Sequence, residues 1–69
     1  MMMKGNLVYV PSNVTIFTND DHGQVHKIVK LSKPQSLLIT EVHEKTYEVL
    51  FHGEKWLVQK SKTYEEQND

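Results

Sequence analysis

No apolar segment of this chain is longer than a β-strand. Pro, Gly and Asn/Asp clusters interrupt the sequence at short intervals. Residues 7–10 stop at Pro11-Ser12-Asn13, and residues 14–18 stop at Asn19-Asp20-Asp21-His22-Gly23-Gln24, four of whose six residues favour turns. Residues 25–31 alternate in part between apolar and polar positions, and Pro34, which lacks a ladder donor, breaks the chain after them. Residues 37–43 open with the apolar run Leu37-Leu38-Ile39. A strand apolar on both faces is read as central and bent over the core. In residues 47–51, Tyr47, Val49 and Phe51 share one face. Residues 52–55 then turn through Gly53 into Trp56-Leu57-Val58.

Composition points the same way. Ala, the best helix former, is absent, while eight Val, three Ile and five Thr supply β-branched side chains. The expectation is an all-β domain over residues 1–64, with five or six short antiparallel strands and at most one 3-10 turn. An acidic, disordered tail is expected over residues 65–69. A flat sheet of this size leaves one face bare, so the strands are expected to curl into a small barrel.

The same composition removes several functions. With no Cys among 69 residues there is no disulfide framework, thiolate zinc site or cysteine nucleophile. Eight basic residues against nine acidic ones give a net charge of −1, and every basic residue is Lys. Without Arg, bidentate reading of phosphate and guanine is lost, which counts against specific DNA recognition. Ser12, Ser32, Ser36 and Ser61 have no glycine-framed elbow, and no carboxylate pair lies in an apolar setting, so no catalytic group and no cofactor is expected. No apolar run approaches the ~20 residues of a membrane span, and Met1-Met2-Met3-Lys4 is followed by no apolar signal region, which reads as a cytoplasmic protein without a membrane partner.

The order of segments from residue 37 to residue 65, a meander with a polar turn, a Gly53 turn and a short polar stretch before Tyr64, resembles the second half of an SH3-like barrel, including bacterial SH3 domains. The resemblance implies that residues 7–10 form the first strand, residues 14–31 a long hairpin with its tip at 19–24, and residues 60–64 a single 3-10 turn before a last short strand. Peptide-binding SH3 domains place a Trp at the start of the third strand and a Pro before the last. Thr46 and Gln59 stand nearest those positions here, so the fold carries over and the proline-rich ligand does not. Pro11-Ser12-Asn13 matches a signature of those domains at the wrong end of the chain and is read as coincidence. Size and composition are also similar to those of short proteins encoded by AT-rich tailed bacteriophages.

The expected function is binding of another protein. Tyr9, Phe17, Trp56 and Tyr64 are the candidate contact residues, with Trp56 an anchor if it faces outward and a core residue otherwise. Lys27, Lys30, Lys33, Lys60 and Lys62 form the alternative, a basic stripe for single-stranded nucleic acid, weighed against the reading that lysines protect a strand edge. A third reading is an accessory structural piece of a larger particle. His22, His26, His43 and His52 are read as turn and surface residues in preference to metal ligands. A chain this short buries only about 60% of its unfolded surface. Both a monomer and a homodimer are therefore considered, the latter pairing through residues 7–10 or 14–17.

Overall fold

A computed structural model describes residues 2–65. Among them the chain forms strands β1 (Leu7–Val10), β2 (Thr15–Asn19), β3 (Val25–Lys30), β4 (Gln35–Val42), β5 (Thr46–Phe51), β6 (Glu54–Gln59) and β7 (Tyr64–Glu65), with a 3-10 turn at Lys60–Lys62 between the last two. All pairings are antiparallel, and the order across the sheet is β3-β2-β6-β5-β4-β1-β7. The all-β expectation and the single 3-10 turn hold. Seven strands stand where five or six were expected, because β7, only two residues long, earns its place by pairing with Val8 and Tyr9 of β1. Glu65, assigned to the tail from the sequence, belongs to that strand. The rest of the expected tail, residues 66–69, lies outside the described residues.

The turns follow from local chemistry. Asp20 Oδ1 accepts from the backbone N–H of His22 at 2.9 Å and of Gln24 at 3.0 Å, which folds the β2–β3 connection as an Asx turn. Phe51 pairs with Glu54, so His52 and Gly53 alone connect β5 to β6. Both have positive φ, 52° and 77°, the conformation of a type I′ hairpin turn and the one whose twist matches the flanking strands. In β4 the pairing passes from Ile39–Val49 to Glu41–Glu48, leaving Thr40 as an extra residue. Its hydroxyl donates to the Glu48 backbone carbonyl or carboxylate, and the bulge bends the strand.

Alternation along the strands separates the faces. Val8, Val10, Ile16, Leu31, Leu37, Ile39, Tyr47, Val49, Trp56 and Val58 form one buried cluster. β1 and β2 lie four strands apart in the sheet, about 19 Å if it were flat. Both nevertheless contribute to that cluster, so the sheet is curled around its inner face. It is not closed. Among the described residues β3 and β7 are its two ends with no ladder between them, so where a small barrel was expected the sheet is open and curled. The segments expected to offer free edges do not: β1 is held between β4 and β7, and β2 between β3 and β6.

Candidate functional site

The apolar residues that the core does not use gather on the outer face. Leu7 of β1 stands directly opposite Leu38 of β4, and Leu38 directly opposite Leu50 of β5. Directly opposed residues share a face and lie about 5 Å apart, so three leucines run side by side across three strands. They are 47%, 39% and 39% exposed. Tyr9, two residues along β1 from Leu7, continues the surface. Its ring centre lies 6.4 Å from that of Tyr64 on β7 with the planes tilted by 52°. A single exposed leucine is ordinary, but a contiguous row extended by two tyrosines is the kind of surface that partner proteins cover.

A second outer row lies on the other half of the sheet, where Ile28 of β3 faces Phe17 of β2 and Phe17 faces Leu57 of β6. Phe17 and Leu57 are half-buried and Ile28 is exposed. Lys55 and Glu48, 3.8 Å apart, sit between the rows, since Lys55 opposes Leu50 and Glu48 opposes Leu57. An ion pair therefore splits the outer face into two apolar areas.

Of the four contact residues expected from the sequence, Tyr9 and Tyr64 come together on one area, and Phe17 lies on the other. Trp56 is on neither. It is buried on the inner face, 6% exposed, beside Val49, with Phe51 edge-on to its ring at 6.4 Å. It belongs to the core because strand alternation gives it the same parity as Val58, so it offers no surface anchor. Leu7, Leu38 and Leu50 were not singled out from the sequence, although one leucine of the run Leu37-Leu38-Ile39 had to point away from the core.

The lysines do not form one stripe. Lys27 pairs with Thr18 on the inner face, its Nζ 2.8 Å from a Glu54 carboxylate oxygen and 5.3 Å from the centre of the Trp56 ring. That ammonium, by hydrogen bond and by charge, holds the Glu54 carboxyl below its ordinary range. Lys30 is on the outer face at the end of β3, and Lys33 is in the turn that follows. Lys60 lies at the start of the 3-10 turn with its Nζ 5.3 Å from the centre of the Tyr47 ring, and Lys62 at its end. Inner, outer and loop positions thus divide the five.

His22, His26, His43 and His52 are all exposed, His52 with its ring 4.1 Å from that of Phe51. Among the described residues no three His, Asp or Glu side chains converge where they could hold a metal ion, and no helix is long and apolar enough to cross a membrane. Comparison of the chain with models of protein families, with curated proteins and with solved structures gives no significant match.

Proposed function

We propose that this protein is a non-catalytic, SH3-like module that binds another protein through the outer face of β1, β4 and β5. The row Leu7–Leu38–Leu50 carries the reading: among the described residues no packing calls for three leucines side by side on the face away from the core. Tyr9 and Tyr64 extend the surface with large, rigid side chains that contribute contact area at small entropic cost. Support for the SH3-like character comes from the long β2–β3 hairpin, the β4–β5–β6 meander and the 3-10 turn that leads into a short last strand beside β1.

The test uses the whole chain and its Leu38→Lys variant as paired baits in an extract of the cells that make the protein. The wild type should enrich a protein that the variant loses, while both unfold at the same temperature. Equal capture by the two, or enrichment of nucleic acid alone, would overturn the reading.

A further inference from the structure

We propose that the free edge of β3 is a strand-addition site for an extended acidic segment of another protein, with an apolar residue set against Ile28 and an acidic residue set against Lys30. This site lies on the opposite half of the sheet from the leucine row and does not depend on it.

The first argument is the backbone. Among the described residues β3 ends the sheet and pairs only with β2. Just beyond it, the Leu31 N–H donates to the Val14 carbonyl at 2.9 Å, which fixes the main chain of Leu31 as facing β2. Antiparallel ladders alternate, so Val29 and Lys27 also turn their backbone groups toward β2, while Lys30 and Ile28 turn theirs out from the edge. His26 is passed over where the register shifts between Thr18 and Asn19. An incoming strand opposite Ile28 and Lys30 finds about four main-chain hydrogen bonds.

The second argument is the side chains. Ile28 pairs with Phe17 and Lys30 with Thr15, which puts both on the outer face. At 67% it is the most exposed of the large apolar residues, and it sits at the middle of the open edge. Natural edges are blunted by charge at such positions. The one lysine near the centre, Lys27, points to the inner face and is held there by Glu54 and Trp56, so it does not guard the edge. The outer side of the edge therefore shows Ile28 with Lys30 two positions beyond it and the exposed Val25, which pairs with Asn19, before the register shift, and the complementary strand has an apolar residue opposite Ile28 and a carboxylate opposite Lys30. Parallel pairing of a second copy would stack Lys30 beside Lys30.

Fluorescence anisotropy with a labelled nine-residue peptide tests this. The peptide alternates Thr with a central Glu-Thr-Val-Thr-Glu, and its counterpart carries Lys in place of both Glu. The acidic peptide should bind at least tenfold tighter than the basic one, and Lys30→Glu should reverse that order. Ile28→Pro removes the outward-facing amide together with the exposed apolar side chain and should abolish binding with the circular dichroism spectrum unchanged. Should that variant unfold, peptides N-methylated at alternate amides answer the question on the unaltered protein. Methylation in the register that faces β3 should abolish binding, and methylation in the other register should not. Leu38→Lys should leave peptide binding intact, which keeps this site separate from the leucine row. Equal binding of acidic and basic peptides, or indifference to N-methylation, would overturn the proposal. So would self-association of the protein through β3, seen as sedimentation that depends on concentration in the wild type and not in Ile28→Pro.

Discussion

Thr18 and Trp56 face each other across β2 and β6, one step along from the Phe17–Leu57 pair, and each buries a polar side-chain atom, Oγ1 and Nε1, that no group among the described residues hydrogen-bonds. A buried hydroxyl without a partner costs roughly 1–3 kcal/mol of desolvation. Valine has the shape of threonine and suits a strand at least as well. Thr18→Val is therefore expected to raise stability by about 1 kcal/mol, or about 5 °C in unfolding midpoint for a domain of this size. A urea titration of both proteins measures it, and a destabilised variant would mean that the hydroxyl does find a partner in solution.

Adjacent residues of β4 should respond in opposite ways to truncation. Ile39 is 1% exposed in the core cluster, whereas Leu38 is 39% exposed on the outer face. Ile39→Ala should cost about 3 kcal/mol. Leu38→Ala should change stability by no more than about 0.5 kcal/mol. Comparable losses at both positions in chemical denaturation would show that the leucine row is covered in the free protein.

Much of this arrangement could be read from residues, and the rest fails for identifiable reasons. Asn19 to Gln24 and His52-Gly53 announce their turns because side-chain capping and positive φ are local properties. The burial of Trp56 was within reach as well. A two-residue turn at His52-Gly53 fixes Phe51 against Glu54, and counting back places Val49, whose face was known, opposite Trp56. Sheet order was out of reach. Tyr9 and Phe17 are eight residues apart in sequence but sit on β1 and β2, which three strands separate, and only non-local pairing decides that. The open sheet has the same cause, since whether β3 meets β7 is a matter of non-local pairing that no turn residue encodes.

Lys27 governs the titration of Glu54. Their contact at 2.8 Å lowers the carboxyl's pKa, first through the hydrogen bond and then through charge. A group whose pKa is lowered on folding adds stability above its unfolded value and loses it as pH falls through the folded one. Glu54 is exposed, so its effect on stability is small and the titration itself is the better readout. In Lys27→Ala the Glu54 carboxyl, followed by carbon-detected NMR, should return to the ordinary glutamate range. An unchanged midpoint would place Lys27 elsewhere in solution.

At alkaline pH the sensitive group is Tyr47. Burial raises its phenol above the ordinary value of 10.0, and the nearby charge of Glu65 raises it further. The Lys60 ammonium, 5.3 Å from the ring centre, does not reverse this. The folded state therefore keeps the proton to higher pH than the unfolded chain does. Tyr47 costs nothing below pH 10, and its contribution falls away as pH rises from there through the folded pKa. Tyr47→Phe should flatten part of that alkaline loss of stability, and Glu65→Gln should make the loss smaller by bringing its upper end back toward the ordinary tyrosine value. Thermal unfolding followed between pH 8 and 11 would show both. Should the wild type and Tyr47→Phe lose stability identically, the alkaline transition belongs to other groups, and the phenol is more accessible than its place beside Val58 implies.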